Sequence, residues 1–384
     1  MYFPPRDIVR QQNSGRSRAE CGTAERAKGR VTQVKRSNAA KFAAVAAAGM
    51  LALTACDNAA EEGDNGGAGG EDEASELSVG LAYDVGGRGD RSFNDAAFRG
   101  LERAAEELGV QTQDFEPSDG EPDSAKEDRL ATMAEEGYDV VIAVGFAYDG
   151  AVQAVAPEYP DVHFAIVDSE IEGIDNVTSL VYAEEQASFL AGAAAALTTE
   201  EDHVGFIGGV ETPLIHKFEA GFTAGAEHVN EDVNVEIDYL SQPPDMSGFS
   251  DPARGREVAQ AQYDRGADVI YHAAGASGNG VLESAVENDF TFIGVDSDQY
   301  ENADEAQKPY VLTSAIKQVD VSVFELINNA LEGDVEGGIQ RFDLSEGGVD
   351  YTTSNTEAIA PIQDELDELK EQIIAGDIEV PTQP

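Results

Sequence analysis

From Leu77 onward, the chain alternates short apolar runs with longer segments in which apolar residues recur every three or four positions. The runs LSVGLAYDV, YDVVIAVG and VHFAIVDS have the length and near-continuous hydrophobicity of strands that are buried on both faces. The segment SFNDAAFRGLERAAEELG follows the first run and predicts an amphipathic helix, with Ala97, Leu101, Ala104, Ala105 and Leu108 on one face. This alternation predicts parallel sheets that are covered by helices on both faces.

The same pattern then occurs a second time. HVGFIGGV, ADVIYHAAG and FTFIGVDS are predicted strands, and PLIHKFEAGFTAGAEHV and DPARGREVAQAQYDRG are predicted helices between the first two of them. We therefore predict an α/β fold of two doubly wound parallel-sheet lobes with a ligand cleft between them. One lobe is predicted from 77–183 plus about 315–345, and the other from 184–314 plus about 346–384. A hinge joins the lobes, and 182–186 is predicted as one crossing.

A short apolar segment precedes the folded part. Lys35, Arg36 and Lys41 carry positive charge before FAAVAAAGMLAL, which is too short to span a bilayer and has the length of the apolar region of a signal peptide. The segment ends in LTAC, which resembles the bacterial lipobox, where the cysteine receives a lipid on its sulfur. The resemblance implies that 1–55 is a leader and signal peptide and that Cys56 is the lipidated residue.

Two further segments flank this signal. Residues 1–33 are polar, basic and aperiodic, so we expect an over-extended start, with Val31 or Val34 as the true first residue and Cys21 absent from the cell. The mature protein then has no disulfide. Residues 56–76 are rich in glycine and acids, which predicts a disordered tether between the lipid and the folded part.

The net charge is −51, with 24 Lys and Arg against 75 Asp and Glu, and ten of the basic residues lie before Cys56. A surface this acidic repels nucleic acid and anionic membrane faces, so we expect neither as a partner. The hydrophobic content of 41% is enough to bury a core, and the charge then favours a salt-adapted, halophilic surface. We expect a monomer that the lipid holds outside the cytoplasm, at the cell membrane.

In doubly wound folds, ligands bind outside the carboxyl ends of the parallel strands. The residues that follow the predicted strands are Tyr83, Asp84, Gly145 to Asp149, Asp168, Gly208, Gly209, Gly275, Ala276, Asp296 and Ser297. The glycine-rich stretches among them lack the spacing of a phosphate-binding loop, and we expect them to let the backbone approach a ligand.

Enzyme chemistry has little support in this sequence. The five histidines are scattered without metal-ligand spacing, and no G-x-S-x-G elbow for a serine nucleophile occurs. We therefore expect no catalytic residue, no metal and no cofactor, and interpret the chain as a binding protein.

Several motifs resemble those of one known family. SFNDAAFRGLERA, GGVETPLIHKFEAGFTAG, AAGASGNGVLESA, IGVDSDQ and VLTSAIKQVDVSV are similar, in this order, to motifs of the basic membrane protein family. The resemblance covers Leu77 to about Gly333. It implies a lipoprotein with the type I periplasmic-binding fold, which binds purine nucleosides for an ATP-binding-cassette importer and delivers them to membrane permease subunits.

The family resemblance also implies how the base is held. Phe93 matches the first of two stacking rings, and Phe249 is the only aromatic residue in the loop that supplies the second. Asp149 matches the carboxylate that binds the base, and Asn94 is expected to help. The alternative for Phe93 is a hydrophobic staple at a helix start that is capped by Ser92.

The ribose and the remaining contacts follow from the same resemblance. Asp296 and Lys317 match the pair that binds the ribose, and Gly275 is expected to let the backbone approach the ligand. Asp84 matches an acid near the base or sugar, with Asp90 as a substitute for it. One lysine among several acids favours an uncharged nucleoside over a nucleotide. A receptor for a sugar or autoinducer is the first alternative, and an adhesin or structural lipoprotein is the second.

Overall fold

The computed structural model describes residues 77–118 and 120–384. The predicted leader, the lipidation site at Cys56 and the tether all lie outside these residues. Within the described part of the chain, no helix combines the length and the hydrophobicity needed to cross a membrane.

The strands lie close to the apolar runs of the sequence. They are β1 Ser78–Ala82, β2 Gln111–Phe115, β3 Val140–Ala143, β4 His163–Val167, β5 Val177–Tyr182, β6 His203–Val210, β7 Asn234–Ser241, β8 Val269–Ala273, β9 Thr291–Asp296, β10 Val311–Lys317, β11 Gly338–Phe342 and β12 Val349–Tyr351. Most of β1, β3, β4, β5, β6, β8, β9 and β10 is buried, as near-continuous apolar strands predict.

Helices connect these strands. They are α1 Phe93–Leu108, α2 Asp123–Glu136, α3 Asp149–Val155, α4 Glu184–Thr198, α5 Pro213–Val229, α6 Pro252–Arg265, α7 Gly278–Asn288, α8 Gln299–Asn302, α9 Val319–Glu332, α10 Thr356–Ile359 and α11 Gln363–Ala375. The sequence predicts one helix over 355–376, whereas the structure has α10 and α11 separated near Pro361. Proline has no backbone N–H and ends a helix that runs into it.

The strands form two six-stranded sheets with the same spatial order. The first is β2-β1-β3-β4-β5-β11, and all its neighbouring strands are parallel. The second is β7-β6-β8-β9-β10-β12, parallel except for β12, which runs antiparallel to β10. The predicted pair of α/β lobes with similar build is therefore confirmed, and we call them the first and second lobe by their sheets.

The chain passes between the sheets near three positions. β5 of the first sheet leads into α4, which packs on α5 and β10, and β10 of the second sheet leads into α9, which packs on α1. β11 returns to the first sheet before β12 joins the second. The lobe boundaries stay a prediction, and we note that Ala315 to Lys317 lie in the second sheet.

The runs QTQDFEP, VNVEIDYL and YVLTSAIK also predict strands and correspond to β2, β7 and β10. The other three strands, β5, β11 and β12, have no counterpart among the predicted elements. β5 contains Thr178 and Ser179, which interrupt its apolar pattern although both are buried. β11 is an edge strand with exposed side chains, and β12 has only three residues. β5 and β11 both pair with neighbouring strands of the first sheet. This pairing, rather than local hydrophobicity, makes them strands.

Small residues let α4 and α5 pack closely in the second lobe. A Cβ on Gly192 would overlap the backbone carbonyl oxygen of Phe222, and one on Gly225 would overlap that of Phe189. The alanine-rich face of α4 is buried on almost every side, since the helix lies between α5 and the second sheet. This packing anchors the helix that begins directly after the first crossing.

Gly192→Ala should lower the free energy of unfolding by about 1–3 kcal/mol, because the added methyl group forces two packed helices apart. The matched control is Gly150→Ala, also within a helix, where a Cβ would have no neighbour within 4 Å. That control should be neutral or slightly stabilising. Urea unfolding of both variants measures the difference, and equal effects would contradict the packing argument.

Candidate functional site

A cavity lies between the two lobes, at the carboxyl ends of both sheets. It encloses about 500 Å³ of empty space, part of it open to solvent. Its walls come from both lobes: Asp84, Val85, Asp90, Phe93, Asn94, Phe146 and Asp168 from the first, and Leu214, Ile215, Phe218, Phe249, Ala273, Gly275, Val295, Asp296 and Lys317 from the second. Seven of the eight predicted ligand-binding residues line this cavity, and Asp149 does not.

Asp84 follows β1 and is buried at the cavity wall. Its backbone N–H donates to Asn94 Oδ1 (2.9 Å), which ties the end of β1 to the first turn of α1. Gly145 has a φ of +93°, and a Cβ there would overlap the Asp84 carboxylate, so the glycine makes room for the acid. Burial raises the pKa of Asp84 to about 7, although the N–H of Val85 lowers it.

Asp90 caps α1, whereas the sequence predicts Ser92 in that role. The Asp90 carboxylate accepts the backbone N–H groups of Ser92 (2.9 Å), Asn94 (2.8 Å) and Asp95 (3.1 Å). Burial raises the pKa of Asp90 to about 6, while these three N–H groups lower it. Ser92 thus holds the N-cap position as predicted, but its side chain makes no capping bond, because the acid two residues earlier already satisfies the helix N-terminus.

Ser92 instead reaches across to the second lobe. Its hydroxyl donates to Asp296 Oδ2 (2.8 Å) and lies 3.0 Å from the carbonyl oxygen of Val295. In return, the Ser297 hydroxyl donates to the Ser92 carbonyl oxygen (2.6 Å). The start of α1 and the end of β9 are thus joined by polar contacts between lobes.

Aromatic rings form much of the cavity wall. Phe93 stands at the first position of α1, and Phe249 lies in the loop before α6. Phe146 meets Phe249 edge to face, with 6.2 Å between ring centroids. Phe146 and Phe218 line the cavity without having been predicted as ligand contacts. Phe146 lies within Gly145 to Asp149, the range that the strand-end rule indicates, whereas Phe218 has the spacing of an ordinary core residue of α5.

The glycine pair near the end of β6 makes room for aromatic rings of the protein. A Cβ on Gly208 would overlap the ring of Tyr239, and one on Gly209 would overlap the ring of Phe249. Neither glycine is among the residues that line the cavity, and protein side chains occupy the space beside both. Gly275 does line the cavity, with a φ of +53° and the Phe249 carbonyl oxygen 3.1 Å from the position of a Cβ.

Lys317 is buried at the end of β10, between aspartates of the two lobes. Its Nζ donates to Asp168 Oδ2 at 2.6 Å and lies 3.6 Å from Asp296 Oδ1. Nζ also lies 4.6 Å from the ring centroid of Phe93. Burial alone would lower the pKa of Lys317, but the surrounding carboxylates raise it, so the side chain stays charged.

Asp149 stands at the first position of α3, beside the cavity rather than on its wall. Its carboxylate accepts from the Ser169 hydroxyl (2.5 Å) and from Gln153 Nε2 (2.6 Å). Ser169 directly follows Asp168, so Asp149 holds the loop that carries a lining residue. A direct contact between Asp149 and a ligand stays a prediction.

No group of three or more His, Cys, Asp or Glu residues with an arrangement suited to a metal ion occurs within residues 77–118 and 120–384. The cavity instead combines apolar rings, carboxylates and one ammonium group. It can stack against a flat molecule, accept hydrogen bonds from hydroxyl or N–H groups, and donate from Lys317.

This chain is similar to known transport proteins over most of its length. The model of a family described as "ABC transporter substrate-binding protein PnrA-like" matches residues 77–384. The chain is 34% identical over 356 residues to the "ABC transporter nucleoside-binding protein BmpA" of Lactococcus lactis, covering 88% of this chain and 97% of that protein. It is 32% identical over 287 residues to an uncharacterized lipoprotein of Pyrococcus abyssi, covering 73% of this chain and 70% of that protein.

A solved structure shares the fold. An ABC transporter system solute-binding protein from Aeropyrum pernix K1 superposes with a TM-score of 0.68 at 29% identity, covering 80% of this chain and 93% of that one. This confirms the predicted two-lobed periplasmic-binding fold.

The raised pKa of Asp84 predicts a pH dependence of stability. Below about pH 4 this carboxyl is protonated in both states, so its contribution to stability is fully present. As the pH rises to about 7, the unfolded chain ionises first and that contribution is lost. Between about pH 4 and pH 7, the free energy of unfolding should therefore fall less for Asp84→Asn than for the wild type. The difference between the two falls should reach up to about 4 kcal/mol.

Denaturant unfolding at several pH values from 4 to 8 measures the two slopes. Asp128→Asn is the control, since Asp128 is exposed on α2 and its loss should leave the slope unchanged. Parallel slopes for the wild type and Asp84→Asn would show that Asp84 is not held in a proton-retaining environment.

Proposed function

We propose that this chain, which belongs to the family of PnrA-like ABC transporter substrate-binding proteins, binds a purine nucleoside in the cleft between its lobes. Members of the family bind substrates for transport and are not enzymes, so the prediction that the chain is not an enzyme is confirmed. The family also implies a membrane permease as the partner that receives the substrate. The nucleoside class and the contacts are our proposal.

One observation carries the proposal: aromatic rings and a lysine between two aspartates line the same cavity. Rings bind the flat face of a base, and stacking contributes about 1–3 kcal/mol per base. The single ammonium of Lys317 is already paired with Asp168 (2.6 Å) and lies near Asp296. Such a site favours neutral hydroxyl donors and repels phosphate, which supports a nucleoside over a nucleotide.

The proposed contacts divide the cavity into two parts. Phe93 and Phe249 stack on the base, and Asp84 and Asn94 bind its polar edge. Gly275 is proposed to offer close backbone approach, and Asp296 and Lys317 bind the ribose, as the family resemblance implies. The Oδ1 atom of Asp296 is buried without a hydrogen-bond partner in the described part of the chain, which suits an acceptor for a ribose hydroxyl.

Contacts between the lobes explain how the ligand would favour closure. Ser92 of the first lobe bonds to Asp296 of the second, and Asp168 of the first bonds to Lys317 of the second. These contacts bring groups from both lobes around the cavity. A ligand that touches both lobes stabilises the closed arrangement and shifts the population towards it. The closed form is then the one that the permease recognises.

The wild-type protein should be titrated by calorimetry with guanosine, adenosine, inosine, cytidine, free ribose and glucose. We expect at least one purine nucleoside to bind, with ribose much weaker, because ribose cannot stack on the rings. Binding of a sugar or another small polar solute, with no response to any nucleoside, would favour the alternative receptor function and refute the nucleoside proposal.

Phe93→Ala should weaken purine nucleoside binding roughly 5- to 150-fold, the equivalent of about 1–3 kcal/mol of stacking. Phe98→Ala is the matched control, because Phe98 lies on the same helix but stacks with Arg88 and is not part of the cavity wall. Calorimetry of both variants with one nucleoside decides the point. Equal affinity losses in the two variants would show that Phe93 acts through folding and not through the base.

We also propose that a lipid on Cys56 anchors the protein outside the cytoplasm. The support is the LTAC sequence after an apolar segment of signal-peptide length. A lipid with more than one acyl chain binds a membrane stably, and the acidic, glycine-rich residues 56–76 are long enough to act as a tether.

Cys56→Ala should abolish incorporation of labelled fatty acid and release the protein from the membrane fraction of an expressing bacterium. Ser75→Ala, in the predicted tether of the same chain, is the matched control and should leave both properties unchanged. Labelling and fractionation should be measured on the same cultures. Fatty acid labelling that survives Cys56→Ala would refute the anchor.

A further inference from the structure

Two aspartates occupy matching positions in the two lobes. Asp168 directly follows β4, and Asp296 is the last residue of β9, which holds the same place in the second sheet as β4 holds in the first. Both line the cavity, and both are almost fully buried, with side-chain exposures of 5% and 8%. The two lobes therefore present one carboxylate each, from equivalent strand ends, to the same space.

Both aspartates also share an uncommon backbone conformation. Their φ angles are +67° for Asp168 and +62° for Asp296, in the left-handed region that residues other than glycine adopt at a cost in energy. Within the described residues only three other non-glycine residues have positive φ, and none of these lines the cavity. The left-handed backbone at both strand ends is thus a shared feature of the two lining carboxylates.

Each carboxylate has one oxygen that accepts a hydrogen bond and one that does not. Asp168 Oδ2 accepts from Lys317 Nζ (2.6 Å), and Asp296 Oδ2 accepts from the Ser92 hydroxyl (2.8 Å). The Oδ1 atoms of both residues are buried and have no hydrogen-bond partner in the described part of the chain, although Asp296 Oδ1 lies 3.6 Å from Lys317 Nζ. Because a buried acceptor without a hydrogen bond is costly, both oxygens are suited to accept a donor from a ligand.

From this symmetry we propose that Asp168 is a second hydroxyl acceptor. Asp168, in the first lobe, accepts from one hydroxyl of the ligand, and Asp296, in the second lobe, accepts from another. The inference rests on the proposed function and adds a ligand-binding residue that neither the motifs nor the family resemblance assigns. It requires a ligand that has at least two hydroxyl donors on its sugar. It also gives the first lobe a direct contact with the sugar, so that closure and sugar recognition depend on each other.

Glu184 provides a contrast within the same charged cluster. It is also buried, with one carboxylate oxygen lacking a partner, but it does not line the cavity. Its other oxygen accepts from Lys217 Nζ (3.2 Å). An unpaired oxygen alone therefore does not define the site, and the proposal depends on the position of Asp168 at the cavity wall.

The test uses the purine nucleoside that binds the wild type, together with its 2′-, 3′- and 5′-deoxy analogues. Calorimetric affinities should be measured for the wild type, Asp168→Asn, Asp296→Asn and the control Glu184→Gln. Asparagine has the shape of aspartate and tolerates a left-handed backbone, so the fold should be retained. Thermal melting of each variant checks this.

We expect the wild type to lose about 10-fold or more in affinity when either of two hydroxyls is removed, since each makes a charge-assisted bond. In Asp168→Asn, removal of one of these hydroxyls should cause little further loss of affinity. In Asp296→Asn, the same should hold for the other hydroxyl. Glu184→Gln should keep the wild-type pattern. Because removal of a structural support would weaken all analogues alike, only a direct contact predicts a change confined to one hydroxyl.

Three results would overturn the proposal. In the first, Asp168→Asn loses as much affinity as the wild type for every deoxy analogue. In the second, Asp168→Asn and Asp296→Asn become insensitive to removal of the same hydroxyl. In the third, the wild type loses affinity for only one of the deoxy analogues. The last needs no variant and decides the matter even if Asp168→Asn does not fold. If the wild type binds a sugar and no nucleoside, the proposed function fails separately, and deoxy forms of that sugar test Asp168 in the same way.

Discussion

The ion pair between Lys317 and Asp168 is the interaction on which the cleft depends. Lys317 ends a strand of the second sheet, and Asp168 follows a strand of the first, so their 2.6 Å contact joins the lobes at the floor of the cavity. Breaking a buried pair by removing one partner leaves an uncompensated charge. Loss of Lys317 or of Asp168 alone would therefore leave a buried charge where the two sheets meet.

At the start of α1, capping by one residue leaves the side chain of another available for the site. Asp90 satisfies the N–H groups at the helix start, a task that serine often performs. Ser92 can therefore turn its hydroxyl to Asp296 in the other lobe. Phe93, the next residue, places its ring beside the Lys317 ammonium. Asp90, Ser92 and Phe93 thus take three different roles within the short DRSFN sequence, in which an acid stands two positions before the serine.

Hydrophobic patterning predicts most of this fold, because strands buried on both faces must be apolar along their length. The rule that ligands bind at strand ends then leads from the strands to Asp84, Asp168 and Asp296 without any relative. Spacing does not report where a side chain points, however. It predicted a cap at Ser92, whose hydroxyl instead bonds to the other lobe, and it does not distinguish Phe218 from an ordinary core residue of α5. β11 could not be recognised either, since its exposed residues pair with a strand that lies 156 or more positions earlier in the chain.

Buried charges of this kind are a poor means of stabilising a protein, since their desolvation offsets much of the attraction between them. Apolar side chains in the same places would hold the lobes together at least as well. The cleft nevertheless keeps a lysine and two aspartates, both aspartates in a left-handed backbone conformation, where the two sheets converge. The arrangement makes sense if the charges serve a ligand that arrives with its own hydrogen-bond donors, because the ligand then completes the hydrogen bonding that the protein alone leaves unfinished.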